Sequence, residues 1–296
     1  MGMSLTNSIT APVYINSIGD EVQITAKAGT VNTISDGTTH SQTYIDSDGQ
    51  SSAVEGAIFA RDDIKTADDA LHCDKYLNIN DGTIKVEDSY EGVEAMQITI
   101  KGGDLTIYAY DDSFNAGEKG AQKTIDVGTP NCVLQIDGGI IHAYVTNNRE
   151  GDMLDSNGAI IINGGEVYAE GSYDGPDSAL DSDGEIIVNG GILVATGGLG
   201  RGELPEQTSK QNSLYWGNSK SSYSKGCVVT LKDASGKVML TYTTNQVLKC
   251  VVVSTPEIAA GGNYSIELNG SKVADFTVTS ALMTQGDKGN GGGFSW

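Results

Sequence analysis

Proline is scarce, with five in 296 residues. A chain that turns often while keeping its ladders paired avoids proline, which cannot donate a hydrogen bond within a sheet. Basic side chains are also few, 18 against 39 acidic, leaving a net charge of −21. Nucleic acid and anionic membranes both require a cationic face, so this balance argues against either as a partner. No apolar run is long enough to span a membrane. No extended stretch carries 3.6-residue periodicity, so long helices are not expected. The four cysteines, Cys73, Cys132, Cys227 and Cys250, form no CxxC pair, which argues against a zinc site. Cys227 and Cys250 fall in neighbouring expected strands, where a disulfide and two buried thiols are both open. The opening MGMS reads as an expression start, and no export signal stands there.

Glycine, by contrast, is abundant at 39, and part of it is periodic. CVLQIDGGIIHAYVT, AIIINGGEVYAEGS and EIIVNGGILVATGG repeat one pattern: an alternating apolar run, a polar residue, Gly-Gly, and a second alternating run. Their second glycines, Gly139, Gly165 and Gly191, are 26 and 26 residues apart. Looser copies carry Gly82 and Gly103. A period of about 20–30 residues built from short strands and glycine turns is a solenoid signature. Apolar residues recur at every second position, as in strands. Leu77/Ile79, Ile98/Ile100, Leu134/Ile136, Ile160/Ile162 and Ile186/Val188 are expected to point inward before the glycines. Ile84/Val86, Leu105/Ile107, Ile141/Ala143, Val167/Ala169 and Leu193/Ala195 should do so after them. The expected fold is all-β, a right-handed parallel β-helix over 13–200. A crossing loop over 201–226 and a small antiparallel β cap over 227–280 follow it.

Val13–Ile34 reads as the first coil and Ser35–Gly56 as a long loop leaving the stack. One coil is shortened between Ile58 and Leu71. Residues 116–131 form an insertion that stretches the Gly103–Gly139 interval to 36 residues. Residues 1–12 read as disordered or as a cap, and the glycine-rich tail as flexible.

Aligned on their glycines, the segments between coils share an apolar anchor: Leu71, Val93, Phe114, Leu154 and Leu180. The next residues form a column of His72, Glu94, Asn115, Asp155 and Asp181. Shortly before the anchors lie Asp69, Glu91, Asp111, Asp112, Asp152 and Asp177. Carboxylates stacked about 5 Å apart repel one another unless a cation lies between them. Ca²⁺ suits such a mixed oxygen set better than Mg²⁺. The expected metal ligands are Asp69, Glu94, Asp111, Asp112, Asn115, Asp152, Asp155, Asp177 and Asp181, against the alternative of solvated turn acids. Asn80, Lys101, Asp137, Asn163 and Asn189 form an outward polar column suited to hydrogen bonding along the stack. Tyr108, Tyr144 and Tyr168 form an outward aromatic group that can stack on sugar rings, although Tyr also simply fills strands well.

The turn segments SYEGVEAMQITIKGGDLTI, DDSFNAG, GDMLDSNGAIIINGGEVYAEGSYDGPDSALDSDGEIIVNGGILVATGG and the early GAIFARDDI resemble calcium-containing carbohydrate-binding β-helix proteins first described in cellulolytic clostridia. Those proteins are similar in fold to pectate-lyase-type polysaccharide lyases. The likeness spans roughly residues 13–275. It implies an exported, surface-associated protein that holds several Ca²⁺ ions and binds plant-type or acidic polysaccharide without cleaving it. The family's acidic turn positions map to Glu94, Asp111, Asp112, Asn115, Asp152, Asp155 and Asp181. Two departures stand out: the shortened coil, and His72 where an oxygen ligand is expected.

Three functions follow, in order of preference. The first is a non-catalytic, calcium-stabilised binder of polysaccharide, expected to be monomeric and to have no catalytic residue. The second is a calcium-dependent lyase acting on uronates, which needs a basic side chain beside the ions. Lys101, Lys85 and Arg61 are its candidates in the coils, and none sits in an acidic turn. The third is a structural or adhesive surface solenoid.

Overall fold

The computed structural model describes residues 70–72, 75–86, 89–117, 131–147 and 149–289 in full. It also describes the backbone of five earlier strands: Gly2–Thr6, Glu21–Thr25, Val31–Ile34, Thr39–Asp46 and Ser51–Ala57. Among the described residues the chain is all-β, without a helix. Asp69, Arg61, Cys73, most of the expected short coil and most of the insertion lie outside them.

Each regular repeat sends one strand into each of three sheets. In the Gly165 repeat these are Leu154–Ser156, then Ala159–Ile162, then, after the Gly-Gly turn, Glu166–Glu170. Every strand pairs in parallel with its counterpart in the next repeat. In the first sheet the register runs Ile79, Ile100, Ile136, Ile162, Val188. In the second it runs Ile84, Leu105, Ile141, Val167, Leu193. The 36-residue interval does not disturb this order, because Gln97–Ile100 still pairs residue for residue with Val133–Ile136.

Alternation explains the core. All ten residues expected inward before the glycines are buried, and so are the ten after them. Each fully buried Ile, Leu or Val contributes roughly 1.5–3 kcal/mol. Stacking in register puts like against like, and the columns fuse into one continuous apolar interior. The Gly-Gly turn permits that close stacking. Gly165 has φ +81°, and a Cβ there would sit 2.7 Å from the Gly139 carbonyl oxygen. A side chain would therefore meet both a strained backbone and a clash.

Both ends of the stack differ from the sequence expectation. Glu21–Thr25 and Val31–Ile34 pair in parallel with Tyr76–Asp81 and Thr83–Val86, as a preceding coil would. Gly2–Thr6 then adds one more parallel strand. The segment expected as a long loop instead holds Thr39–Asp46 and Ser51–Ala57, an antiparallel pair lying against Gly2–Thr6. Its polar composition hid these strands, because strand propensity measures fit to a pleated surface rather than hydrophobicity.

At the other end, the expected crossing loop contains the strand Ser213–Gly217, and Leu282–Gly286 pairs with it in parallel. Cys250–Ser254, expected in the cap, joins the second sheet antiparallel to Ile192–Gly197. All five of its residues are buried. Cys250 and Val252 face the interior of the stack, while Val251 and Val253 face a second apolar core. A strand buried on both faces shows no alternation, so periodicity could not place it. Cys227 and Cys250 form no disulfide in this structure. The remaining C-terminal strands, Val238–Thr243, Val228–Asp233, Asn263–Leu268 and Ser271–Thr277, make a four-stranded antiparallel sheet in that order. It closes the second core over the outer face of the second sheet.

Candidate functional site

The turn columns are assembled by the third sheet. Its strands Leu71–His72, Val93–Ala95, Phe114–Ala116, Leu154–Ser156 and Leu180–Ser182 stack in parallel. Their register reproduces the sequence alignment, with His72, Glu94, Asn115, Asp155 and Asp181 in one column. The anchors, Leu71 to Leu180, are buried beside the column. Each odd strand residue thus fixes the core while its neighbour is turned outward.

The acids preceding the anchors are bound together by main-chain donors. Asp152 N donates to Asp112 Oδ1 at 2.8 Å, and Ser178 N donates to Asp152 Oδ1. Gly151 N donates to Asp177 Oδ2 at 3.1 Å. These bonds tie each turn to its neighbour but do not cancel the charge. Burial holds the carboxyls of Asp112 and Asp152 well above the usual range. Repulsion from Asp155, Asp111 and Glu91 adds to this at Asp112, and from Asp181, Asp177 and Asp155 at Asp152. Asp111 and Asp181 are raised the same way, chiefly by burial. Packed acids of this kind favour either a proton or a cation.

Asn115 supplies an independent sign. Its amide nitrogen donates to both Glu91 oxygens at 3.1 Å, whereas its Oδ1 is buried and has no hydrogen-bond partner. An orphaned buried carbonyl oxygen costs about 1–3 kcal/mol, so a ligand there would recover that loss. Among the described residues no three His, Cys, Asp or Glu side chains already converge on one point. A cation here would complete its shell with Asn115 Oδ1 and main-chain carbonyls, a mixture that Ca²⁺ accepts. The donor set fits that ion. At the far end of the column His72 Nδ1 contacts Glu94 Oε2, so an imidazole engages that carboxylate.

Two residues near this column escaped the sequence reading. Glu203 N donates to Leu180 O at 2.9 Å, which lays the segment after the last repeat beside Asp181. Burial, then repulsion from Asp181, Asp183 and Glu206, pushes Glu203 up to about 7. The 22-residue step from Asp181 to Glu203 equals that from His72 to Glu94, a signal hidden once Gly-Gly no longer marked the repeat. Arg201 is the second. Its guanidinium bonds Asp177 Oδ1 at 3.0 Å and also feels Asp181 and Asp152. It sits on the acidic turns, which Lys85 on its strand and Lys101 beside the Gly-Gly turn do not.

The aromatic group lies where strand parity sends it, on the outer face of the second sheet, yet that face is largely covered. Tyr108 and Tyr144 stack with ring centroids 4.8 Å apart, and His142 stacks on Tyr168 at 4.9 Å. Tyr168 in turn stacks on Tyr242 of the C-terminal sheet at 4.7 Å. Tyr144, expected to be open to solvent, is 5% exposed and accepts a hydrogen bond from Asn245 Nδ2 at 3.0 Å. Its ring is stacked between Tyr108 and His142, and its hydroxyl meets the segment that follows Val238–Thr243. Tyr108 and Tyr168 stay half-buried. The polar column behaves as hydrogen-bonding spacers: Asn163 Nδ2 donates to Asp137 Oδ1 at 2.8 Å and Asn189 Nδ2 to Asn163 Oδ1 at 2.9 Å.

Parallel repeats carrying stacked acidic turns therefore define the class: an all-β repeat protein. Residues 61–200, a little under half of the chain, match the family model of carbohydrate-binding domain-containing proteins. That span includes the described repeats and the turns from Glu91 to Asp181. Neither the curated proteins nor the solved structures contain a match.

Proposed function

We propose that the stacked repeats form a right-handed parallel β-helix that binds carbohydrate without cleaving it and is stabilised by Ca²⁺ in its acidic turns. The observation that carries the carbohydrate reading is the family likeness over 61–200, the same residues that build the stack. For the ion, the support is the buried, partnerless Asn115 Oδ1 beside acids held above their usual range. Asp111, Asp112, Asn115, Asp152, Asp155, Asp177 and Asp181 would hold Ca²⁺, with Glu94 held by His72 at the margin. The ion would neutralise the turns and bridge to uronate carboxylates, which a protein of net charge −21 otherwise repels. This reading places the protein outside the cell or at its surface, with plant cell-wall or acidic polysaccharide as partner.

Arg201 favours one alternative, a uronate lyase. Such chemistry needs a base beside the ion that acidifies the sugar proton, and Arg201, paired with Asp177, would stand beside such an ion, although Asp177 holds it fully charged. Pull-down on cellulose and on polygalacturonate, with calcium or with EDTA, separates these readings. Saturable binding without any rise in the ultraviolet absorbance of unsaturated products supports the binder. Rising absorbance that Arg201→Ala abolishes supports the lyase. Absence of binding to any glycan leaves a structural solenoid.

A further inference from the structure

The acidic turns follow the second-sheet strands, whereas the Gly-Gly turns precede them. At that opposite end the structure has a groove of about 750 Å³ between the repeats and the C-terminal sheet. Its floor is the column of second glycines at 139, 165 and 191, which carries no side chains. Two inter-strand steps make this floor about 10 Å long. Ile140 and Ile192 rise from the repeats on one side, and Met239 and Pro256 face them from the C-terminal segments. Glu166 and Glu257 supply the charged groups of the lining, and neither Lys nor Arg contributes to it.

We propose that this groove is a second glycan site, independent of calcium, that takes a neutral polysaccharide chain. The inference rests on the carbohydrate-binding reading and adds a place and a substrate class. Its volume is in the range of ligand clefts, which combine apolar walls with a few convergent polar groups. Ile140 is 40% exposed, so its side chain is available to a ligand in the groove. A sugar ring lying flat on a floor of glycine backbone packs its C–H face against Ile140, Ile192 and Met239. Its hydroxyls then donate to carboxylates. Glu166 is already oriented by the Tyr168 hydroxyl, which donates to Oε2 at 2.8 Å. Glu257 is exposed at the rim. Two carboxylates with no cationic side chain between them accept hydroxyls and repel uronates. Neutral chains are thus selected here, while uronates would require the ions at the turns.

The test is calorimetric titration of the full chain with cellohexaose and with hexagalacturonate, each with calcium and with EDTA. Ile140→Ser and Glu257→Ala are titrated in parallel; both positions are exposed enough to leave the melting temperature in place. Cellohexaose affinity is expected to fall about ten-fold in each variant, the effect of losing ~1.4 kcal/mol of contact. Polygalacturonate capture in calcium should stay at the wild-type level. Unchanged cellohexaose affinity in both variants overturns the groove. So does wild-type protein that binds polygalacturonate in calcium but no cellohexaose, and in that case the function proposed above survives. Failure to bind either glycan removes both readings together.

Discussion

Tyr242 of the C-terminal sheet donates its hydroxyl hydrogen to Oε1 of Glu170, on the outer face of the second sheet. The main-chain nitrogens of Asn245 and Gln246 each donate to Glu170 Oε2 at 2.7 Å. Glu170 is fully buried, and burial raises its carboxyl while these donors pull it back down. A buried carboxylate is tolerable only when its lone pairs are filled, and here another part of the chain fills them. This contact, with the Asn245 bond to Tyr144, fastens the stack to the C-terminal segments.

Glu170→Ala leaves Tyr242 and two main-chain donors buried without acceptors. Urea unfolding should show a loss of roughly 3 kcal/mol, from more than one orphaned donor at about 1–3 kcal/mol each. Limited proteolysis should cut first within 227–280. A loss below ~1 kcal/mol with no new cleavage would mean that water replaces the carboxylate at no cost.

Asp155 stands in register with Asn115 and Asp181 and repels both Asp112 and Asp152. If a calcium ion offsets that repulsion, Asp155→Ala lowers the melting temperature in calcium and changes it little in EDTA. Equal losses under both conditions would take Asp155 off the ligand set. A rise in EDTA alone would show that repulsion dominates when no ion is present.

Glu203 has a folded pKa of about 7, above its ordinary value of 4.5, so its protonated form favours folding. That stabilisation is complete below the unfolded pKa and is lost as pH rises through about 7. In EDTA the wild type should melt at a higher temperature at about pH 5 than at about pH 8. Glu203→Gln should narrow that gap, leaving the share due to Asp112 and Asp152. An unchanged gap would locate the whole pH dependence in the turns.

Gly165→Ala forces a side chain into a left-handed backbone, 2.7 Å from the Gly139 carbonyl. The expected cost is at least ~1–3 kcal/mol, read from the denaturation midpoint. Ile161→Ala, on the outer face of the neighbouring strand, should cost about 1 kcal/mol or less. Similar losses at the two positions would show that the turn can spread to accept a methyl group.

Much of this architecture is legible in the residues, and the reason is periodicity. Once alternation and the Gly-Gly spacing fix the register of Leu134/Ile136 on Ile160/Ile162, the step Asp155–Asp181 follows, and Asn115 joins the column through its anchor, since Phe114 stands opposite Leu154. Where a residue serves two surfaces, the pattern carries less. Tyr144 obeys outward parity, but parity cannot reveal that a sheet almost a hundred residues later in the chain will settle on it. Val251 and Val253 alternate with Cys250 and Val252, yet both faces are apolar, so nothing in the string separates an inner from an outer core. Glu203 and Arg201 lie past the last Gly-Gly pair, where the landmark used for alignment has ended. Their roles come from a single main-chain bond to Leu180 and a single ion pair with Asp177.

The antiparallel strands at the two ends of the stack bear on self-assembly. A column of identical parallel rungs is a template on which a second copy of the chain could dock head to tail, extending each sheet without limit. Cys250–Ser254 reverses direction against Ile192–Gly197, so the last repeat's edge in the second sheet is already taken, and Ser213–Gly217 and Leu282–Gly286 lie beyond it. At the other end, in the first sheet, Thr39–Asp46 lies antiparallel against Gly2–Thr6, with Ser51–Ala57 beyond it. The last strand of the first sheet is covered as well, since Glu206 and Gln211 donate to the carbonyls of Ile186 and Val188. The C-terminal segments thus occupy the edge on which another copy's repeats would dock, and a chain lacking 199–289 should polymerise where the intact protein does not.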